Sequence, residues 1–237
     1  MRWKILIALI SLAVLTSNAQ EEHIYRVKKL KGEAQVRHGA KENWQKLATG
    51  DTLHADDTII LWKDGYIEIE TENSTFKSSG GIILNISDLK RLTKEEFLLQ
   101  LAFEEMKNIP EVKREKQNAR STGIYGSEIN IKEPKPKEAQ NLTHFWTGGV
   151  KSLFENGFYE TASIRAKNLM SKFNELKDDI DLKIIVAKSL EKLGLYGEAI
   201  AEYRKIISSS NDESLNSKLE KKISELKSKI TSSENSR

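Results

Sequence analysis

The chain of 237 residues contains no cysteine. This absence excludes disulfides, thiolate metal sites and a cysteine nucleophile. Histidine is scarce as well, with four residues at His23, His38, His54 and His144. No two of them lie three or four positions apart, the spacing that places two imidazoles on one face of a helix. The sequence therefore predicts no metal site and no cofactor.

Motifs of enzyme sites are missing too. The chain has no Gly-x-Ser-x-Gly elbow, no P-loop and no Gly-x-Gly-x-x-Gly that opens a helix after a strand. The carboxylate pairs Asp56-Asp57 and Asp178-Asp179 are better explained as caps, because an Asp at a helix start accepts backbone N–H bonds. No nucleophile, base and orienting group can be assembled. We therefore expect that the protein is not an enzyme.

The sequence also lacks a large excess of either charge. Its 38 basic and 35 acidic residues give a net charge of +3. So small an imbalance does not indicate a nucleic-acid-binding surface.

Long apolar runs are confined to the N-terminus. Arg2 and Lys4 precede the apolar run from Ile5 to Leu15, and the small residues Ser17-Asn18-Ala19 follow it. This layout predicts that residues 1–19 are a signal peptide cleaved after Ala19. The run is shorter than the roughly 18–20 residues of a membrane span, so membrane attachment is expected only if the signal stays uncleaved. The predicted location is the periplasm or the extracellular space.

Residues 24–90 have the pattern of a small β domain. Short apolar–polar segments alternate with turn signals about every ten residues, which is typical of a sandwich, a barrel or a short solenoid. The clearest turn signal is Asp64-Gly65, which predicts a hairpin with the alternating strand from Tyr66 to Glu70. Gly80-Gly81 and the run from Ile82 to Ile86 predict a strand bend and a last strand.

Five short segments of this region follow one another in an order typical of a known domain. They are Gly32 to Val36, Trp44 to Leu47, Gly50 to Leu53, Asp57 to Ile59 and Asp64-Gly65. On these segments, residues 26–90 resemble the FecR-type periplasmic domain, which implies an extracytoplasmic β domain. In regulators of that family a cytoplasmic segment and a membrane span precede the domain, whereas here only four residues precede the apolar run. The resemblance therefore predicts the domain used alone, without the family's signal-relay function.

A helix and a linker are predicted next. Thr93 and Glu96 form a capping-box pattern, apolar residues follow at helical spacing, and Pro110 ends the helix, which is predicted to span 93–109. Its predicted apolar stripe comprises Phe97, Leu98, Leu101, Ala102, Met106 and Ile109. Residues 110–140 are rich in charge and contain Pro134 and Pro136, so they are predicted to be an extended linker.

Residues 142–230 have a helical pattern that repeats. Lys151-Ser152-Leu153 recurs 37 positions later as Lys188-Ser189-Leu190, and three further residues recur at the same offset. A fixed offset over six positions predicts a duplicated helical hairpin. The segment from Ser214 to Ile230 is predicted to be a capping helix, and Gly148-Gly149 is predicted to mark a helix start.

The repeated segment resembles tetratricopeptide repeats, although its period is longer than theirs. The resemblance implies that small and aromatic residues pack the helices against each other: Gly157, Tyr159, Ala162, Gly194, Tyr196, Ala199 and Tyr203. As part of an adaptor, the hairpins are expected to present a groove to a peptide or helix of a partner, with candidate residues on the first helix of each hairpin. The candidate protein-binding residues are Lys151, Phe154, Glu155, Lys188 and Glu191.

Together these patterns predict an α+β multidomain protein: a sandwich or solenoid-like β domain followed by helical hairpins. The predicted function is an exported, non-enzymatic envelope scaffold or adaptor whose partner is an envelope protein or a membrane receptor or sensor. Two alternatives stay open. One is a FecR-type signalling component. The other is a cell-wall glycan-binding protein, for which the candidate surface is Trp44, Trp62, Tyr66, His144, Phe145 and Trp146.

Overall fold

The computed structural model describes residues 24–41, 43–107 and 142–234. The predicted signal peptide at 1–19, the predicted linker at 110–140 and the predicted helix end at Ile109 and Pro110 lie outside the described residues. Among the described helices, none combines the length and the apolar character that a membrane span requires.

The first half of the described chain forms two antiparallel sheets of four strands each. The strands are β1 (Tyr25–Lys31), β2 (Ala34–Arg37), β3 (Gln45–Lys46), β4 (Thr52–Leu53), β5 (Thr58–Leu61), β6 (Tyr66–Glu70), β7 (Thr75–Ser79) and β8 (Ile82–Asn85). One sheet has the order β4-β1-β6-β7 and the other has the order β3-β2-β5-β8.

The inner faces of the two sheets share one apolar core. Val27, Ile67 and Phe76 from the first sheet pack with Ile59 and other residues of the second sheet, and all of them are fully buried. In β6 the buried residues alternate with half-buried ones, as the period-two sequence pattern predicts. Every residue of β5 and β8 is buried, because the outer face of their sheet is covered as well.

The turn at Asp64-Gly65 is present, but it does not close a hairpin. The Gly65 N–H donates to the carbonyl oxygen of Trp62 at 2.9 Å. However, β5 pairs with β2 and β8, whereas β6 pairs with β1 and β7. The predicted hairpin is therefore wrong, because a turn signal specifies a reversal of the chain and leaves open which strand becomes the partner. Here the turn carries the chain from one sheet to the other.

The chain also crosses between the sheets at Gly32, and this crossing touches the one at Gly65 at one end of the sandwich. Gly32 leads from β1 to β2 with a φ of 76°. A Cβ atom at Gly32 would lie 2.8 Å from the Cα of Gly65. The backbones can approach this closely only because neither residue has a side chain. The actual hairpin of this region joins β6 and β7, and its turn is closed by the Thr71 N–H donating to Ser74 at 2.9 Å.

Six helices follow among the described residues: α1 (Lys94–Lys107), α2 (Leu142–Glu155), α3 (Tyr159–Lys172), α4 (Ile180–Lys192), α5 (Tyr196–Ser209) and α6 (Glu213–Glu234). Short 3-10 helices occupy Ile86–Leu89 and Asn174–Leu176. The described chain is thus an α+β protein with two small antiparallel sheets and six helices.

Two predicted helix starts are confirmed by their hydrogen bonds. The Thr93 N–H donates to Glu96 at 2.9 Å and the Glu96 N–H donates to Thr93 Oγ1 at 3.1 Å, which is a reciprocal capping box. At the start of α4 the Asp179 carboxylate accepts from the Leu182 N–H at 2.9 Å. Asp179 is therefore a helix cap, as its position in the sequence indicates.

The pairs α2–α3 and α4–α5 are helical hairpins with the same turn. The Phe158 N–H donates to Leu153 and, 37 residues later, the Leu195 N–H donates to Leu190, both at 2.9 Å. Gly157 and Gly194 have φ values of 78° and 75° in these turns. The offset seen in the sequence is thus an offset in backbone hydrogen bonding. Helix α6 then covers α5, with Leu219, Ile223 and Leu226 buried in the helical core.

Helix α2 lies directly on β8, and this contact joins the sheets to the helices. Gly148 and Gly149 lie in the middle of α2, not at a helix start as predicted. A Cβ atom on Gly148 would overlap the carbonyl oxygen of Gly81, and one on Gly149 would overlap that of Ile83. The glycine pair therefore allows the helix backbone to meet the strand backbone.

Polar contacts fix the same junction. The side-chain amide of Asn156 accepts from the Lys77 N–H at 2.9 Å and donates to the Lys77 carbonyl at 2.8 Å, so it pairs with the outer edge of β7. Ser78 and Ser152 share a buried hydrogen bond of 2.8 Å. Leu153, Phe158 and Ala162 of the first hairpin complete the core of the sandwich.

Candidate functional site

Some of the predicted protein-binding residues are exposed, and the others contact side chains of the same chain. Lys151 and Glu155 on α2 and Lys188 on α4 are exposed. Phe154 is half-buried against the core of the sandwich, with its ring 5.3 Å from that of Tyr159. The Glu191 carboxylate accepts from the Tyr203 hydroxyl at 3.1 Å and from Lys222 Nζ at 3.4 Å. Three of the five residues are therefore exposed, and two contact side chains of the same chain.

Three of the seven predicted packing residues are buried inside the helical hairpins. Ala162 and Ala199 are fully buried and occupy matching positions on α3 and α5. Tyr203 is buried, and this burial, with the negative charge of Glu191 beside it, raises the pKa of the Tyr203 phenol. Tyr159 and Tyr196 are half-buried at the starts of their helices.

Helix α1 has apolar residues on two opposite faces. Phe97 and Leu101 point inward and join the helical core. Leu99, Phe103 and Met106 follow at spacings of four and three on the opposite side, and 45–60% of their surface is exposed. The predicted single stripe is therefore wrong for Leu98, Ala102 and Met106, which are exposed, because the helix docks through the Phe97 side.

We call Leu99, Phe103 and Met106 the outer face of α1. Six large apolar residues are exposed in the described chain, and four of them, including Leu98, belong to this one helix. A surface helix ordinarily carries one apolar stripe, which faces its own core. A second apolar stripe that faces solvent is therefore a candidate contact surface.

Aromatic residues gather on the outer face of the second sheet. Trp62 meets Phe145 edge to face at a centroid distance of 5.5 Å, and Trp44 and Trp146 pack around the same cluster. Among the other residues predicted for a glycan surface, Tyr66 lies on β6 and donates to Glu68 at 2.7 Å, and His144 is exposed on α2. The structure thus brings four of the six predicted aromatic positions together.

A cleft opens where β8, α2 and α3 meet. Its volume is about 30 Å³, which is room for about two water molecules. The polar residues in its lining are Asn85, Asp88, Arg165, Asn168 and Lys172, and its apolar lining includes Trp146 and Phe173. We call this space the junction cleft.

The strongest charge pair at the junction cleft is Asp88 with Arg165. Arg165 Nη2 and Nε lie 2.6 Å and 2.7 Å from the same oxygen of Asp88. Asp88 is buried, and the loss of hydration raises the pKa of its carboxyl although Arg165 opposes this change. The pair thus holds α3 to the 3-10 helix that follows β8.

The sequence pattern misses the junction cleft because its residues come from segments far apart in the chain. The 37-residue offset carries no signal for it either. Trp146 and Arg165 correspond to Lys183 and Glu202, but most other positions of the two hairpins differ as well, including Ala166 against Tyr203.

A buried carboxylate also lies between two histidines of the β domain. Asp57 Oδ1 is 2.7 Å from His38 Nδ1, and Asp57 Oδ2 accepts from the backbone N–H of His54 at 2.8 Å. These bonds tie the loop before β5 to the end of β2. Within the described part of the chain, no group of three or more His, Cys, Asp or Glu side chains could hold a metal ion.

The chain matches no protein-family model, no curated protein and no solved structure.

Proposed function

We propose that this protein is an exported, non-enzymatic envelope adaptor that binds another protein through the outer face of α1. The observation that carries the proposal is the second apolar stripe of this helix, which no described residue covers. The signal-peptide pattern of residues 1–19 supports export. The resemblances to FecR-type domains and tetratricopeptide repeats support a binding role.

The chemistry of the outer face indicates the kind of partner. Its residues are the branched Leu99, the aromatic Phe103 and the unbranched Met106, spaced over two helical turns. Such a row fits an amphipathic helix or an apolar strip of a partner. Methionine adapts to partners of different shape because its side chain is unbranched and polarizable. The partner we propose is therefore a protein segment with an apolar face.

Site-specific photocrosslinking in cells that express the full chain tests this proposal. A photoreactive phenylalanine analogue at Phe103 is expected to give an adduct with a second protein. The same analogue at Lys221, which is exposed on α6, is expected to give none, since no apolar surface surrounds it. The adduct is identified by mass spectrometry, and the captured protein is then purified and titrated against the chain.

The titration decides the outcome. Leu99→Asp is expected to weaken binding of the purified partner by about tenfold or more, because a buried charge at an apolar contact is costly. The proposal is contradicted if Phe103 gives no adduct, an adduct with the same chain alone, or an adduct equal to that at Lys221. It is also contradicted if Leu99→Asp binds the partner as well as the natural chain.

A second candidate function, glycan binding, is favoured by the cluster of Trp44, Trp62, Phe145 and Trp146. Trp62 Nε1 is buried with no acceptor among the described residues, and half-buried aromatic residues commonly line ligand sites. If the cluster binds glycan, the chain is expected to co-sediment with purified peptidoglycan, and Trp44→Ala is expected to reduce the bound fraction. Absence of co-sedimentation would remove this candidate and leave the adaptor proposal unchanged.

A further inference from the structure

The junction cleft has more positive than negative charge. Arg165 uses Nε and Nη2 on Asp88, and its Nη1 has no hydrogen-bond acceptor among the described residues. Lys172 is exposed at the rim, and its ammonium group lies 5.3 Å from the centre of the Phe173 ring, with no carboxylate of the described chain within ion-pair distance. The cleft therefore contains two cations and one carboxylate, and that carboxylate, Asp88, is already paired with Arg165.

A buried donor beside the junction cleft also has no acceptor. Asn85 is 6% exposed. Its Oδ1 accepts from the Thr58 hydroxyl at 3.0 Å, whereas its Nδ2 has no acceptor among the described residues. A buried amide N–H without an acceptor costs free energy.

The turn of a helical hairpin does not require these residues. In the second hairpin the positions of Trp146, Arg165 and Lys172 are held by Lys183, Glu202 and Ser209. The second hairpin forms the same turn hydrogen bonds without them. The aromatic and cationic side chains of the first hairpin are thus not part of the turn that the two hairpins share.

We propose that the junction cleft binds a carboxylate that is carried on an apolar group. Arg165 Nη1 and Lys172 Nζ are the donors to the carboxylate, since a cation and an anion form the stronger class of hydrogen bond. Trp146 and Phe173 contact the apolar group. The cleft has room for the carboxylate but not for an aryl ring, so the apolar group lies at its opening. The ligand is either the last residue of a peptide with an apolar side chain or a free aryl-alkyl acid.

Calorimetric titration of the full chain with three probes tests this proposal. The probes are 3-phenylpropionate, an acetylated tripeptide that ends in phenylalanine with a free carboxylate, and the same tripeptide with a C-terminal amide. The carboxylate peptide is expected to bind and the amide peptide to bind at least about tenfold more weakly, because the amide removes the charge. Binding of 3-phenylpropionate as tight as that of the peptide identifies a site for free acids, whereas tighter peptide binding identifies a site for chain ends.

Lysine variants provide the matched comparison. Lys172→Gln is expected to weaken binding of the carboxylate probe by about threefold, and Lys172→Glu by about tenfold, since this rim lysine is exposed. Lys192→Gln, an exposed lysine on α4, is expected to leave binding unchanged. Circular dichroism confirms that all three variants are folded. Equal binding of the acid and amide peptides, unchanged binding by both Lys172 variants, or no binding of any carboxylate probe overturns the proposal. None of these results depends on the outer face of α1.

Discussion

Gly149→Ala is expected to lower the free energy of unfolding by about 3 kcal/mol, the upper end of the cost of overpacking a tight contact. The added methyl group would overlap the carbonyl oxygen of Ile83. A backbone atom cannot move aside as a flexible side chain can, so α2 must shift away from β8. That shift would also loosen Leu153, Phe158 and Ala162, which complete the core of the sandwich.

Urea unfolding followed by circular dichroism measures this effect. Gly197→Ala is the matched control, because Gly197 lies in α5 with no atom near its missing Cβ. At that position alanine is expected to raise the free energy of unfolding by up to about 1 kcal/mol, from its better helix propensity. Equal stabilities of Gly149→Ala and the natural chain would show that α2 does not touch β8.

Arg165→Met is expected to cost about 3–5 kcal/mol of stability, the cost of leaving one partner of a buried ion pair alone. Asp88 is 5% exposed and keeps no other cation in ion-pair distance among the described residues. Asp88→Asn is expected to cost less, since it removes the buried charge. The double variant Asp88→Asn, Arg165→Met is therefore expected to be more stable than Arg165→Met alone.

The loss caused by Arg165→Met should also depend on pH. Burial raises the pKa of Asp88 in the folded state, so protonation of this carboxyl stabilises the folded protein. This contribution is fully present below the ordinary pKa of an aspartate, about 4, and is lost as the pH rises through the raised pKa of the folded state. The deficit of the variant should shrink as the pH is lowered toward that value.

An ion pair whose carboxylate is exposed supplies the comparison for Arg165→Met. Lys183 Nζ lies 2.9 Å from Asp178, whose side chain is 84% exposed. Lys183→Met is expected to destabilise the chain much less than Arg165→Met, because water screens the exposed Asp178 carboxylate. If Arg165→Met cost no more than Lys183→Met, Asp88 and Arg165 would not be a buried pair.

The features that the sequence determined are those set by neighbours along the chain. The capping box of Thr93 and Glu96, the Asp179 cap and the alternation in β6 each depend on residues a few positions apart. The duplicated hairpin follows from the 37-residue offset, since equal sequences at equal spacing form equal turns. The pattern did not predict β7, because Phe76 is its sole large apolar residue.

The tertiary structure decided which elements meet. The turn at Asp64-Gly65 is compatible with a hairpin or a crossing, and only the packing of two sheets selects the crossing. The glycine pair of α2 is needed because of the close contact with β8, which lies more than 60 positions earlier in the chain. The outer face of α1 is likewise defined only by the tertiary structure, since the helical pattern of the sequence contains two apolar sides. Only docking onto α3 and the helical core determines which side is buried and which is left for another molecule.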